Sequence, residues 1–295
     1  MLKNFYIYQK ERFPFAVLIF TTLSVVLSSS VIVLTPNDSF LNHFPEIIIG
    51  TITGLLFMFH IRVSDDIKDK GFDTEFHKER PIQRGVISLT ELNLLNTIGL
   101  AIQSILNVLY SVCAFIFWLI AFGYSLIARF DFFMKRWIRK KFFLYNALNL
   151  LQLFFLQIYL YALIEPGFSW RNHLLLVHFI FVLLNASIIE VARKLKRKKE
   201  ETAARDTYSA RLGIGSASLL YSILYISSYL MFIHMLSNLG ASPALFYISL
   251  VPLSLIILTT MVYLLHAKKS TSKIVEGTAL IFYLSMHLLL VFTAL

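Results

Sequence analysis

Long apolar runs separated by short polar ones organise the chain, and most are close to the roughly 20 residues that an α-helix needs to cross a bilayer. The runs predict helices over about Phe13–Leu34, Pro45–Ile61, Phe142–Ile164, His173–Ala192, Gly213–Leu236, Pro243–His266 and Ile274–Leu295. The run from Leu89 to Phe130 is too long for one span and fits two, with Asn107 as a place to turn. The turn-forming Thr35-Pro36-Asn37-Asp38 closes the first span, and Glu165-Pro166-Gly167 closes the fifth. The predicted fold is all-α and polytopic: nine transmembrane helices in a single domain over residues 1–295.

The positions of the basic residues test that reading. Cytoplasmic loops collect Lys and Arg. Placing the nine spans puts 26 of the 27 Lys and Arg residues on one side, with Arg171 alone opposite. An error of one helix would scatter those charges. The pattern predicts a cytoplasmic N-terminus and a C-terminus outside, in a multi-pass protein of the cell (inner) membrane of a bacterium. Lys3, Lys10 and Arg12 precede the first apolar run as they would in a signal peptide, but the run is long and lacks a small-residue cleavage site, so it reads as a retained span.

Composition agrees. Hydrophobic residues make up 57% of the 295 positions and mean hydropathy is +0.71, which belongs to the membrane class. The net charge of +10 and pI near 9.6 follow from the cytoplasmic loops, so nucleic acid is not an expected partner. The single cysteine, Cys113, sits in an apolar run, which excludes an intramolecular disulfide and a cysteine metal cluster.

One polar stretch, Arg62 to Gly85, interrupts this pattern with chemistry. Asp65, Asp66, Asp69 and Asp73 fall at offsets of one, four and eight, so they share a face if the preceding helix continues through them. Carboxylates grouped this way repel unless a cation joins them, and oxygen-only ligands suit magnesium with a phosphate-bearing substrate. A solvated acidic loop is the other reading of the same spacing. In the sixth span Asn185 and Glu190 lie in or near the apolar region, where an ionisable group is costly and marks a candidate site. Glu190 reads either as an interfacial partner of Arg193 or Lys194 or as a further carboxylate ligand. Arg193 and Lys194 are the basic residues nearest to it and are candidates to reach a phosphate. His60 reads as interfacial and His77 as a solvated loop residue, and neither has a partner at zinc-ligand spacing.

These residues resemble the intramembrane, UbiA-type aromatic prenyltransferases related to the 4-hydroxybenzoate polyprenyltransferase of ubiquinone synthesis. The first motif of that family reads Asn-Asp-x-x-Asp-x-x-x-Asp. Asp65-Asp66-Ile-Lys-Asp69-Lys-Gly-Phe-Asp73 is similar to it, with Asp65 in place of the asparagine. Arg80-Pro81 and Gly85 resemble the Arg-Pro and Gly that follow, at slightly shorter spacing. The second motif, usually two aspartates four apart with a downstream lysine, is poorly kept around Glu190, Arg193, Lys194 and Asp206. The resemblance implies nine helices with the site at the cytoplasmic side, and a prenyl diphosphate and a lipophilic acceptor as substrates. It further implies Mg2+ held by Asp65, Asp66, Asp69, Asp73 and Glu190 as catalytic carboxylates, and diphosphate contacts from Arg80, Arg193 and Lys194. A membrane transporter, or a catalytically inactive assembly partner of the same fold, is the alternative.

Overall fold

The computed structural model describes residues 2–34, 40–201, 203–266 and 268–294, and among these it is helical with no strand. The turn expected at Thr35 to Asp38 and the end of the last span at Leu295 lie outside the described residues. The helices are α1 Leu2–Arg12, α2 Phe15–Val33, α3 Phe44–Lys68, α4 Lys70–Phe76, α5 Leu89–Tyr110, α6 Val112–Arg129, α7 Lys135–Ile138, α8 Phe142–Ile164, α9 His173–Arg193, α10 Tyr208–Leu212, α11 Ile214–Asn238, α12 Pro243–Leu265 and α13 Lys269–Val291. Among the described residues nine helices are long and apolar enough to cross a membrane: α2, α3, α5, α6, α8, α9, α11, α12 and α13. The protein is an integral membrane protein.

Two boundaries differ from the sequence reading for physical reasons. The third and fourth spans part at Ser111, not at Asn107. Ser111 takes an extended backbone (φ −156°, ψ 124°) and its side chain caps α6 by accepting from the Ala114 amide. Asn107 is buried inside α5, donating to Thr53 Oγ1 at 3.2 Å and accepting from the Tyr159 hydroxyl at 2.8 Å. It is therefore an interhelical tie, a use of polar side chains common in membrane bundles. The second difference is at α3, which runs past Ile61 to Lys68 and carries the acidic residues on helix.

The described residues form two compact units. Unit 1 comprises residues 1–26 and 43–167, and unit 2 comprises residues 27–42 and 168–295. In unit 1, α3 packs against α5, α6 and α8, and Gly54 allows close approach: a Cβ there would meet Thr22 Cγ2 at 2.5 Å. Polar ties cross these helices at several depths. Trp118 Nε1 donates to Gln103 Oε1 at 3.0 Å, and His60 lies between Asn96 Oδ1 (3.2 Å) and Ser125 Oγ (3.1 Å). His60 is thus fully buried among helices, not interfacial as its position suggested. At one end of α3, Tyr8 of α1 and Phe13 join Phe59, Val63, Ile87 and Leu92 in an apolar cluster, so α1 is docked on the base of α3.

Unit 2 packs α9 against α11 and α13, and α12 against α13. Its buried polar ties include Ser28 Oγ, which lies 2.8 Å from His287 Nδ1 and 3.1 Å from His178 Nε2, and the Thr259–Thr278 hydroxyl pair at 2.9 Å.

Candidate active site

In unit 1 the helical hydrogen-bond ladder continues through the acidic motif despite a change of helix. Asp69 is the hinge between α3 and α4, with φ −98° and ψ 7°, yet its amide still donates to Asp65 O at 2.8 Å, and the Asp73 amide donates to Asp69 O at 2.8 Å. Helical rotation then separates the acids. Asp65 and Asp69, one turn apart, keep side chains 32% and 29% exposed, whereas Asp66 and Asp73 are 1% and 3% exposed.

Each carboxylate already has a basic partner. Lys68 Nζ lies 2.9 Å from Asp65 Oδ1, and Arg139 Nη2 lies 2.9 Å from Asp69 Oδ1. Arg80 is ion-paired with Asp73. Asp66 is the most enclosed: its Oδ1 accepts from Arg62 at 2.6 Å and from Arg12 at 2.9 Å, and its Oδ2 accepts from the Tyr8 hydroxyl at 2.6 Å. Buried charge survives only when paired and hydrogen-bonded in this way. Burial and the neighbouring Arg62 charge lower the pKa of the Arg12 guanidinium, while burial and then Asp66 raise that of the Tyr8 phenol. Among the described residues no three His, Cys, Asp or Glu side chains are grouped closely enough to hold an ion between them. The pairing explains this: Lys and Arg side chains hold the carboxylates apart and neutralise them one by one.

Arg80 is held in place by a compact turn. Its amide donates to His77 O at 3.1 Å, the Val86 amide donates to Pro81 O at 2.9 Å, and Gly85 closes the turn with φ +73°, a conformation that favours glycine. Arg84 in this turn forks onto Glu11 of α1 at 3.0 and 3.2 Å. His77 lies 3.4 Å from Glu79 in the same turn.

Sequence reasoning missed a second tier of residues in unit 1. Lys68 reaches Asn149 Oδ1 at 3.0 Å and lies over the Tyr145 ring at 5.2 Å, so α8 helps to fix it behind Asp65. Arg139, just after α7, donates through Nε to Asp131 Oδ2 at 2.8 Å and through Nη2 to the Lys68 carbonyl at 3.3 Å. Asp131, Phe132 and Phe133 are three consecutive non-glycine residues with positive φ (52°, 55° and 56°), each costing on the order of 1–2 kcal/mol. Backbone strain of this kind persists where the surrounding contacts over-determine it. The one signal in the sequence was the concentration of Lys and Arg at 129–141, which does not single out Arg139.

The charges act on the open aspartate. Burial raises the Asp69 pKa above the usual aspartate range, and Asp65 and Asp73 push the same way against Lys68 and Arg139. On Arg139, burial acts to lower the pKa, but the bond to Asp131 and the charge of Asp69 outweigh it, and the net direction is up.

In unit 2, Glu190 in the last turn of α9 lies 2.7 Å from Lys194 Nζ and 3.9 Å from Arg193 Nη1. The segment beyond α9 is tied back by the Tyr208 amide on Lys194 O (3.1 Å) and the Tyr263 hydroxyl on Lys196 O (2.9 Å). Burial, then the charge of Glu190, pushes the Tyr208 phenol up to about 12. Asn185 is fully buried one and a half turns earlier; its Nδ2 donates to Phe181 O at 3.1 Å.

The fold defines a polytopic membrane protein of the all-α class, with the acids that attracted notice in the sequence at or beyond the ends of α3 and α9 or in the short α4. The chain belongs to the UbiA prenyltransferase family, whose model matches residues 17–286. It is a prenyltransferase by that membership. Solved structures share the fold: a UbiA homologue from Aeropyrum pernix K1 in its apo form matches with a TM-score of 0.62 at 15% identity, over 90% of this chain and 94% of that one. A digeranylgeranylglyceryl phosphate synthase matches with a TM-score of 0.58 at 16% identity, over 99% and 98%. A UbiA homologue from Archaeoglobus fulgidus, bound to DMAPP and Mg2+, matches with a TM-score of 0.54 at 15% identity, over 96% and 98%. No curated protein matches the chain.

Proposed function

We propose that this membrane protein transfers an isoprenoid group from a prenyl diphosphate to a lipophilic acceptor in a magnesium-dependent reaction, with residues 1–295 acting as one functional domain. The observation that carries the proposal is the pair Asp65 and Asp69: two part-exposed carboxylates one helical turn apart on the end of a membrane-length helix, with Arg80 and Arg139 bound to the motif's own acids. Acceptor-only oxygens of this kind fit magnesium. The bound ligands of the A. fulgidus homologue support the same substrate class.

In this reading Asp65 and Asp69 offer their free oxygens to the ion, and Asp73 joins them by exchanging Arg80, which then turns to the diphosphate. Asp66, committed to Tyr8, Arg12 and Arg62, serves the reaction by fixing the end of α3. Glu190 is proposed as a further carboxylate ligand, with Arg193 and Lys194 as phosphate contacts, on the chemistry of their side chains. Bound magnesium would supply positive charge where the leaving diphosphate develops negative charge. The carbon–oxygen bond of the donor breaks with its electron pair going to the diphosphate oxygen, and the acceptor bonds to the allylic carbon with loss of a proton. The N-terminus and these motifs are proposed to face the cytoplasm of a bacterial inner membrane, as the distribution of 26 of 27 Lys and Arg residues supports.

Binding of a non-hydrolysable prenyl thiodiphosphate to detergent-purified protein, with and without magnesium, tests the proposal. Magnesium-dependent binding that Asp69→Asn loses is the expected result. Folded wild-type protein that binds no thiodiphosphate at any magnesium concentration would sink it.

A further inference from the structure

We propose that the segment from Phe130 to Lys141 in unit 1 is a binding site for an anionic phospholipid, which lays its acyl chains against Phe130 and Phe133 and sets its phosphate among Lys135, Arg136 and Lys140. Trp137 lies at the level between chains and headgroup. Only the membrane spans are needed for this, not the diphosphate reading.

The first support is the direction in which the apolar surface runs. Ala114, Trp118, Ala121, Ser125 and Ala128 form the buried face of the membrane-length helix α6, while Ile116, Ile120 and Ile127 are exposed. At about 100° per residue those isoleucines lie on the opposite face, and Phe130 falls in line with them. In a bilayer such a stripe meets acyl chains, so Phe130 ends a lipid-facing surface. Phe133 extends it: its ring stacks on that of Phe130, with centroids 5.8 Å apart and planes 12° from parallel, and it is 77% exposed.

The second support is the backbone that presents these rings. The left-handed turn at 131–133 packs Phe132 against Tyr124, with centroids 5.8 Å apart, and leaves Phe133 beside Phe130. Asp131 and Ile138, both buried, hold the turn from within, Asp131 by accepting from Arg139 Nε at 2.8 Å. A rigidly held, exposed aromatic pair facing water would be an aggregation liability; facing lipid it is an anchor.

The third support is charge. Lys135, Arg136, Lys140 and Lys141 are exposed, and none has a carboxylate partner among the described residues. The one acid of the segment, Asp131, is turned inward onto Arg139. Lys141 Nζ lies 3.9 Å from the centroid of the Trp137 ring, which sets a cation and an amphipathic ring side by side, as at a membrane–water boundary. An apolar surface that ends in aromatic rings with cations just beyond matches a molecule whose phosphate adjoins its chains and whose net charge is negative. A soluble anion would use the cations and leave the rings uncovered.

Native mass spectrometry tests the headgroup, on full-length protein equilibrated in detergent with equal amounts of phosphatidylglycerol and phosphatidylcholine. Wild type is expected to retain phosphatidylglycerol first, and Lys135→Gln/Arg136→Gln should cut that preference by about tenfold or more. Lys198→Gln/Lys199→Gln, which removes the same charge from the segment after α9, should leave it within about twofold of wild type. Equal falls in the two double variants, as general attraction to a basic surface would give, would overturn the inference. Fluorescence of the protein in nanodiscs tests the rings. The emission that wild type has and Trp137→Phe lacks should be quenched by acyl-brominated phosphatidylglycerol and only weakly by aqueous acrylamide. The reverse would place Trp137 in water, away from lipid, and would equally overturn the inference.

Discussion

The Tyr8 hydroxyl donates to Asp66 Oδ2 at 2.6 Å and so ties the N-terminal helix to an aspartate 58 residues further along the chain. Arg12, from the same helix, and Arg62 close on the other carboxylate oxygen. The second acid of the motif is therefore built into the packing between α1 and α3, while its neighbour Asp65 looks outward with a side chain about one-third exposed. Adjacent residues with the same side chain have different work because 100° of helical rotation separates them.

Substitutions should separate those two kinds of work. Asp66→Ala leaves two part-buried guanidinium groups without their carboxylate and is expected to cost about 3–5 kcal/mol. Tyr8→Phe removes one hydrogen bond to a charged group and should cost about 1.5–3 kcal/mol. Asp65→Asn, by contrast, keeps an amide oxygen within reach of buried Lys68 and should cost less than Asp66→Ala while abolishing prenyl transfer. Chemical unfolding in detergent together with turnover checks all three. A destabilisation of Asp65→Asn as large as that of Asp66→Ala would contradict the assignment.

Asp69 carries a pH prediction. Burial and its acidic neighbours raise its folded-state pKa, so the folded protein holds this proton to a higher pH than the unfolded chain does. Its charged form is then a liability: metal-free stability should fall as pH rises from the ordinary aspartate value through the raised one, and stay lower above it. Asp69→Asn removes that component. In EDTA, the melting temperature of the variant minus that of wild type should increase across this window, and magnesium-dependent ligand binding should be lost. A difference that is flat with pH would contradict the raised pKa.

Glu190 makes ion pairs that are partly open to solvent, with Lys194 at 2.7 Å and Arg193 at 3.9 Å. Such pairs are worth about 0–1 kcal/mol. Glu190→Gln should therefore melt like wild type, and turnover should drop by about tenfold or more if it is a ligand, the effect of losing roughly 1.4 kcal/mol of transition-state stabilisation. Wild-type turnover in the variant would remove Glu190 from the site.

Gly85 has φ +73° and open space around the position a Cβ would take, so substitution there meets backbone strain without a clash. Gly85→Ala should cost about 1–2 kcal/mol. Gly85→Asn should cost less, because asparagine tolerates the left-handed region. Since this turn carries Arg80, the alanine variant should also weaken thiodiphosphate binding; unchanged stability in Gly85→Ala would show that the turn relaxes.

The chain's class and most of its helices were legible from the sequence, because a bilayer imposes a length and an apolar composition on each span, and both are local properties. The acidic motif at Asp65 to Asp73 was legible for a related reason: carboxylates gathered beside an apolar run are costly and so stand out. The sequence by itself could not distribute the work among those acids. That Asp66 turns to Tyr8 and Arg12, that Arg139 reaches Asp69 across 70 residues of chain, and that Asn107 is a tie and Ser111 the turn are decided by which helices pack together. Ion pairs and hydrogen bonds between segments distant in sequence leave no periodic trace in the chain, since partner choice depends on distances of a few ångströms that only the packed helices set.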